Sequence, residues 1–185
     1  RDFVERGGRL MSSFETGCYD ERGNPRDRGS LWDILGIERF EGMMAPRVGE
    51  EYMKMVKVKE KITSIPDGKL IPRPVYTLKV IVNQNALSPS IYMNPIGAYY
   101  APPRGDSSYP AIIYNRFGLG TSIFFSSLFG EFYARYKMPN ISMVFHDLMR
   151  STDQRPQEID IEAPETVQVE LRSQDNPRRL LVHLV

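Results

Sequence analysis

Cys18 is the only cysteine in the sequence, and its side chain would be the most reactive one if it were activated. A cysteine nucleophile needs a base and hydrogen-bond donors for the oxyanion that forms during attack, and His146 is the candidate base. A nucleophile elbow has glycine two residues before and two residues after the nucleophile, but these positions hold Thr16 and Asp20. We therefore expect no catalytic residue and a small, partly buried Cys18. A hydrolase that uses Cys18 as nucleophile and His146 as base is the alternative.

Charged residues surround Cys18 along the chain. Glycosidases use two carboxylates as acid and as nucleophile or base, and Glu15, Asp20 and Glu21 are acidic. That chemistry requires a fixed spacing across a sugar, whereas a segment that mixes acidic and basic residues more often forms surface ion pairs or a subunit contact. We expect binding or a subunit interface rather than catalysis, and the candidate residues are Glu15, Tyr19, Asp20, Arg26 and Arg28.

Metal ligands are scarce in this sequence. Zinc is held mainly by Cys and His side chains, and the chain offers His146 and His183 besides its one cysteine. A single cysteine also excludes an internal disulfide. We expect neither a metal nor a cofactor.

A tyrosine-rich segment gives a further binding hypothesis. Residues 83–109 contain four prolines and several tyrosines. This composition is typical of an irregular surface segment with few hydrogen-bonded β-ladders. Aromatic side chains combine a large apolar area with a polar group and so suit sugar stacking or protein contact. We prefer packing under a proline-rich loop, and a sugar-binding module is the alternative. The aromatic residues concerned are Trp32, Tyr99, Tyr100, Tyr109 and Tyr114.

The composition argues against several classes of partner. Hydrophobic residues make up 41% and charged residues 25% of the 185 residues, which is typical of a globular chain. The 24 basic and 23 acidic side chains nearly cancel, so no net charge attracts nucleic acid. No apolar run approaches the ~20 residues needed to cross a bilayer, and the first residues lack the apolar core of a signal peptide. We expect a cytoplasmic protein without a nucleic-acid or membrane partner.

The elements that must position these residues are helices and strands that alternate along the chain, as in an α/β protein. Residues 2–6 resemble the end of a helix that Gly7-Gly8 terminates, and a strand should follow. The glycine-rich residues 16–29 predict a long loop, which is usually functional or mobile at that length. A short helix is predicted over 31–35, with Gly36 at its end.

Later segments have clearer periodicity. Alternating apolar residues predict strands over 52–59 and 75–82, and two apolar runs around Phe117-Gly118-Leu119-Gly120 predict a hairpin. Residues 128–136 have helical character, and the clearest helix runs from Pro139 through Arg150. The core-facing stripe of that helix is Ile141, Val144, Phe145, Leu148 and Met149.

Several stretches resemble a known family when taken together. Residues 7–23, Gly-Gly-Arg-Leu-Met-Ser-Ser-Phe-Glu-Thr-Gly-Cys-Tyr-Asp-Glu-Arg-Gly, and residues 31–37 are similar to the middle of the β-galactosidase trimerisation domain and its relatives in bacterial glycoside hydrolases. Residues 110–113 and 116–125 resemble the late hairpin of that domain. The helix through Arg150 resembles its closing helix.

The resemblance implies a fold and a domain organisation. Residues 163–167 and 180–185 are similar to the start of the β-rich segment that follows in such proteins. The fold implied is an α/β layered domain like class I glutamine amidotransferases and flavodoxin, present here in part. We expect this amidotransferase-like domain over 1–150, a linker over 151–164 and the start of a C-terminal β domain over 165–185.

The resemblance also implies a function. In such proteins the sugar-cleaving carboxylates lie on an upstream barrel, which this sequence does not contain, so no catalytic residue is carried over. The implied role is a non-catalytic accessory or oligomerisation domain of a β-galactosidase-like glycoside hydrolase in carbohydrate metabolism. Its expected partners are further copies in a homo-oligomer, such as a trimer, and the upstream catalytic barrel of the same polypeptide. Residues 83–109 fit the family pattern least.

Overall fold

The computed structural model of the protein describes residues 1–44, 51–59, 62–98, 100–102, 104–152, 161–164 and 166–185. The chain divides into two units, Arg1–Gln154 and Arg155–Val185. Most of the linker expected over 151–164 lies outside the described residues. The expected domain boundaries therefore stay a prediction.

The described residues contain ten strands and four helices. The strands are β1 Arg9–Ser13, β2 Ile37–Met44, β3 Tyr52–Met55, β4 Leu70–Pro72, β5 Thr77–Val82, β6 Leu87–Met93, β7 Asp106–Phe117, β8 Gly120–Phe125, β9 Val169–Asp175 and β10 Arg178–Leu184. The helices are α1 Asp2–Glu5, α2 Trp32–Leu35, α3 Phe129–Tyr136 and α4 Pro139–Thr152. The protein is therefore a mixed α/β protein, in agreement with the expected class.

A six-stranded sheet in the order β1-β8-β7-β6-β3-β4 forms the centre of the first unit. The β1–β8 pair is parallel, and the other four neighbouring pairs are antiparallel. Strands β2 and β5 form a separate antiparallel ribbon. Flavodoxin-like folds are built on a mainly parallel sheet, so the flavodoxin-like layering expected from the resemblance is not confirmed by this topology.

Both faces of the central sheet are buried, which explains the nearly continuous apolar runs of β7 and β8. Successive side chains in a strand point to opposite faces. Ile112 and Phe125 accordingly belong to one hydrophobic cluster, and Ile113 and Phe124 belong to another. Each of these four side chains is at most 2% exposed, and burial of one such side chain contributes roughly 1.5–3 kcal/mol.

Helices α3 and α4 cover the first face of the sheet. The predicted stripe of α4 is confirmed for Ile141, Val144 and Leu148, which are at most 1% exposed. Phe145 is half-buried and packs against the same cluster, 5.2 Å from the ring of Phe125. Met149 differs from the prediction, because 60% of it is exposed at the edge of the stripe.

Helix α2 and the β2–β5 ribbon cover the second face. Their contacts with it are made by Trp32, Leu35, Ile37, Leu78 and Val80. Gly36 ends α2 as predicted, with φ of 75°, in the left-handed region that glycine enters easily. A Cβ on Gly36 would also lie 2.9 Å from the side chains of Ala86 and Asn115, so this turn requires glycine sterically as well.

The hairpin predicted around residues 117–120 is confirmed by the β7–β8 pair. Phe117 faces Gly120 at its tip, and Gly118 has φ of 59°. The long buried run of β7 continues through Asn115, whose side-chain amide donates to the carbonyl of Ile34 at 2.8 Å. The Ser122 hydroxyl, on the residue opposite Asn115, donates to the same carbonyl at 2.6 Å and so fixes the end of α2 on the sheet.

The prediction that residues 83–109 form an irregular surface segment with few β-ladders is wrong. They include β6, which lies between β7 and β3 in the sheet, and the first residues of β7. Pro89 made this strand difficult to recognise. Pro89 and Pro110 both adjoin register shifts between β6 and β7, and proline is tolerated in a sheet at such irregularities.

The strand predicted over 52–59 is shorter than expected and ends at Met55. The main-chain N–H of Lys57 donates to the Asp67 carboxylate at 2.9 Å. This side-chain bond takes the place of a main-chain bond to a neighbouring strand. The strand therefore does not continue through Val56 and Val58, although apolar and charged residues alternate there. The strand predicted over 75–82 is present from Thr77 onwards as β5.

The second unit is an antiparallel hairpin of β9 and β10. The two β-like runs predicted after residue 165 are thus strands. Every residue of β10 is exposed, including Leu180, Val182 and Leu184.

Candidate functional site

The loop between β1 and α2 carries the binding residues predicted from the sequence. Asp20 is its organising residue. One oxygen of its carboxylate accepts hydrogen bonds from the main-chain N–H groups of Arg22 at 2.9 Å and Asn24 at 2.8 Å. The other accepts from the Asn24 side-chain amide at 3.0 Å. These hydrogen bonds lower the pKa of the Asp20 carboxyl. The primary role of this carboxylate is therefore to close the loop.

Arg26 joins the two sides of the same loop. Its main-chain N–H donates to the Cys18 carbonyl at 2.8 Å, and its guanidinium donates to the Tyr19 carbonyl at 3.0 Å. The guanidinium also lies 3.3 Å from the Glu21 carboxylate. Arg28 follows on the exposed part of the loop. The loop is thus an ordered surface segment rather than an extended connector.

Glu15 and Tyr19 lie close together beside Cys18. The Glu15 carboxylate accepts a hydrogen bond from the Tyr19 phenol and raises its pKa. Tyr19 is 45% exposed, so its ring is available to a partner. All five predicted binding residues therefore lie on one loop, and contacts within it bring four of them together, namely Glu15, Tyr19, Asp20 and Arg26.

The environment of Cys18 disfavours its thiolate. Burial raises the pKa of the Cys18 thiol, the neighbouring Trp32 indole lowers it less, and the Glu15 carboxylate raises it further. A nucleophilic cysteine requires the opposite, because the thiolate is the reactive form.

His146 is remote from Cys18 in the fold. It is an exposed residue of α4, which packs on one face of the central sheet. Cys18 lies by Trp32, which packs on the other face. The structure does not bring this cysteine and histidine together as nucleophile and base.

Asp147, beside His146, connects α4 to a loop. Its carboxylate accepts bonds from the Ser64 main-chain N–H at 2.6 Å, the Ser64 hydroxyl at 2.7 Å and the Thr63 hydroxyl at 3.0 Å. Burial alone would raise the pKa of the Asp147 carboxyl, but these hydrogen bonds outweigh it and lower the pKa. The residue thus has a structural use.

The aromatic residues proposed from the sequence do not form one surface. Trp32 is 8% exposed and belongs to one hydrophobic cluster, while Tyr114 is 4% exposed and belongs to the other. The Tyr109 hydroxyl donates to the Glu41 carboxylate at 3.1 Å. Tyr100 is 95% exposed, and Tyr99 lies outside the described residues. Trp32 and Tyr114 are packed, but they lie in the two hydrophobic clusters on the central sheet rather than under the proline-rich loop that was predicted.

A buried ion pair between Glu51 and Arg73 was not found by the sequence analysis. The side chains are 4% and 0% exposed, and their charged groups are in contact. Burial lowers the pKa of Arg73 to about 10, which still leaves the guanidinium charged at neutral pH. The only signal in the sequence is a charged residue enclosed by Pro72 and Pro74, and nothing local indicates that Glu51 lies beside it.

The same buried network includes Tyr92. The Arg73 guanidinium lies 5.4 Å from the centre of the Tyr92 ring, and the Tyr92 hydroxyl is 2.9 Å from the Ser126 hydroxyl. Burial raises the pKa of Tyr92 to about 12, so its phenol is neutral. The Arg73 guanidinium also donates to the Thr77 hydroxyl at 2.9 Å. These groups connect β4, β5, β6 and the end of β8 inside the fold.

Neither a metal centre nor a membrane span is present in the part of the chain that the structure describes. No three His, Cys, Asp or Glu side chains there are grouped to hold a metal ion. No helix among those residues is long and apolar enough to cross a membrane.

Comparisons with known proteins show likeness in fold. No protein-family profile and no curated protein sequence matches this chain. A β-galactosidase from Rahnella sp. R3 matches 92% of this chain with 22% of its own length, at a TM-score of 0.67 and 19% identity. The α-L-fucosidase isoenzyme 2 from Paenibacillus thiaminolyticus matches 100% of this chain with 27% of its own, at a TM-score of 0.66 and 16% identity.

A third likeness is to a smaller protein. A cytoplasmic protein from Salmonella typhimurium LT2 matches 83% of this chain with 58% of its own, at a TM-score of 0.59 and 12% identity. The chain therefore spans about a quarter of each of the two enzymes and more than half of the third protein. The resemblance to a β-galactosidase region predicted from the sequence is confirmed at the level of the fold.

Proposed function

We propose that this chain is a non-catalytic accessory domain that helps to assemble a multidomain glycoside hydrolase. The proposal is based on the unequal shares of the two chains that match, since 92% of this chain corresponds to only 22% of a β-galactosidase. The environment of Cys18, which raises the pKa of its thiol, supports a role without nucleophilic catalysis.

The catalytic part of the parent would be an upstream barrel of the same polypeptide. Glycosidases act through two carboxylates at a fixed separation, and the Asp20 carboxylate of the β1–α2 loop is occupied by the three hydrogen bonds that close that loop. A parent of the β-galactosidase type is therefore proposed on the fold likeness, and a cytoplasmic location on the likeness to the Salmonella cytoplasmic protein.

We propose that the β1–β8 pair belongs to an amidotransferase-like or flavodoxin-like core. That pair is parallel, and α1 followed by glycine leads directly into β1. Further parallel strands of the parent beside β1 would complete such a core.

The proposed assembly is a homo-oligomer, such as a trimer, in which the β1–α2 loop contacts a neighbouring subunit. Tyr19 and Arg28 are exposed on a loop whose backbone is fixed from within by Asp20 and Arg26. Tyrosine and arginine are enriched in interfaces, and a pre-ordered loop loses less entropy on binding.

Size-exclusion chromatography with light scattering on the complete parent tests this role. We expect a stable oligomer, and Arg28→Glu to weaken its association by about thirtyfold, as for loss of a central interface contact of ~2 kcal/mol. Lys69→Glu is the matched control, because it makes the same charge change at an exposed position of another loop.

A strictly monomeric parent would contradict the assembly role altogether. An oligomer that Arg28→Glu and Lys69→Glu affect equally would contradict the assignment of the interface to the β1–α2 loop. The two outcomes separate the role of the domain from the surface that performs it.

A further inference from the structure

A surface cleft of about 310 Å³ lies between the residues that precede β5 and helix α3. Its lining residues are Pro74, Val75, Tyr76, Leu128, Glu131, Phe132, Arg135 and Tyr136. Two contacts hold the walls together. The Leu78 main-chain N–H donates to the Ser126 carbonyl at 2.7 Å, and Thr77 forms a β-bridge with Ser127, two residues before α3.

Helix α3 presents two different aromatic stripes. Phe129 faces the core, where its ring stacks on that of Phe125 at 4.8 Å. Phe132 and Tyr136, one turn apart on the neighbouring stripe, lie with ring centres 4.8 Å apart and line the cleft. Tyr136 is 51% exposed. The second stripe is therefore not needed in full to complete the core.

The opposite wall is fixed from inside the protein. The buried Arg73 guanidinium donates to the carbonyls of Pro74 at 3.2 Å and Val75 at 3.4 Å. These bonds hold the main chain that presents Tyr76, whose side chain is 53% exposed. A buried charge thus orders a surface turn, and the aromatic wall is pre-formed rather than a mobile loop.

The polar groups of the cleft carry both signs of charge. Glu131 and Arg135 form an exposed pair at 3.3 Å, one turn apart on α3. Their charges cancel, so neither an anion nor a cation is favoured. The remaining carboxylate lone pairs and guanidinium N–H groups can accept from and donate to hydroxyl groups. A neutral ligand with several hydroxyl groups satisfies both side chains.

We propose that this cleft binds a saccharide. The apolar C–H face of a sugar ring would lie against Tyr76 and Tyr136, while its hydroxyl groups bond to Glu131 and Arg135. The cleft volume is at the lower end of the ~300–1,000 Å³ range of ligand sites, which suits one or two sugar rings. The inference rests on the proposed role in a glycoside hydrolase and adds a ligand subsite to it, on a different surface from the β1–α2 loop.

Titration of the 185-residue chain with lactose, followed by amide NMR shifts, tests the proposal. We expect saturable shifts at residues 74–76 and 128–136, and no comparable shifts with glycerol, which has hydroxyl groups but no ring. Tyr76→Ala and Tyr136→Ala should each weaken binding by about fivefold, as for loss of one aromatic contact. Tyr100→Ala, an exposed tyrosine outside the cleft, is the matched control and should have no effect.

Three results would overturn the saccharide site. They are no saturable shift with lactose, equal shifts with glycerol, and binding that Tyr76→Ala and Tyr136→Ala leave unchanged. Shifts at the cleft that depend on protein concentration without sugar would also overturn it, because they would identify a contact between copies of the chain. If the parent assembles through the β1–α2 loop but the 185-residue chain shows no lactose shifts at the cleft, the saccharide site alone is refuted.

Discussion

Burial keeps the Cys18 thiol protonated, and the negative charge of Glu15 adds to this effect. Both raise the pKa of the thiol, so the thiolate fraction at neutral pH is lower than for a free cysteine. Glu15→Gln should therefore lower the pKa of the thiol slightly, move the alkylation profile to lower pH and raise the rate at neutral pH modestly, because burial remains. Iodoacetamide labelling of the chain as a function of pH measures this change.

Glu21→Gln is the control for this substitution. Glu21 lies on the same loop but pairs with Arg26 rather than facing the thiol. An alkylation profile that Glu15→Gln and Glu21→Gln shift equally would show that the loop as a whole, and not one carboxylate, protects Cys18. A Cys18 more reactive than a free cysteine in the unmodified chain would revive the hydrolase alternative.

At the scale of elements, the Glu51–Arg73 pair connects the start of β3 with the end of β4 and the turn before β5. Removal of one partner leaves a buried charge without compensation. We expect Glu51→Gln to lower the free energy of unfolding by about 3–5 kcal/mol. Urea denaturation followed by circular dichroism measures the loss.

The double variant Glu51→Leu with Arg73→Met distinguishes the ion pair from simple packing. Replacement of both charges by apolar groups often costs little, so the double variant should be more stable than Glu51→Gln. Some loss will remain, because Arg73 also donates to Pro74 and Val75. Equal instability of the two variants would contradict a dominant role for the unpaired charge.

Local periodicity determined which elements were predictable. The β7–β8 hairpin and α4 were predicted because their apolar patterns are regular over several residues. Strand β2 was missed because register shifts between Ile37 and Arg39 and between Phe40 and Met43 interrupt its alternation. Strand β6 was missed because proline in a sequence favours a loop, although Pro89 adjoins a register shift of the sheet.

The candidate sites were predictable only where they are local. Glu15, Tyr19, Asp20 and Arg26 are close in sequence, so their loop was recognised before its hydrogen bonds were known. The cleft between Tyr76 and Tyr136 and the Glu51–Arg73 pair join residues far apart in the chain. Such contacts depend on the order of strands in the sheet, which sequence periodicity does not determine.

At the scale of the whole molecule, the chain divides into Arg1–Gln154 and Arg155–Val185. We propose that the linker predicted over 151–164 begins where α4 ends at Thr152, as the polar composition of the residues that follow predicts. Limited digestion with a glutamate-specific protease should then cut first after Glu158 or Glu162. The sheet of the first unit should resist because its inner strands are buried on both faces.

Mass spectrometry of the fragments over time measures the order of cleavage. Glu38 and Glu41 are internal controls, since both are exposed but belong to β2. A first cut after either of them would contradict the linker and would show that the ribbon opens more readily than residues 151–164.

The two edges of the central sheet differ in their capacity to pair with an additional strand. At one edge, β4 is three residues long and ends in Pro72, which has no N–H to offer another strand. At the other edge, β1 has five residues without proline and, among the described strands, a neighbour on one side only. A strand added to this sheet, for example from a second molecule during aggregation of the purified chain, would therefore pair with residues 9–13.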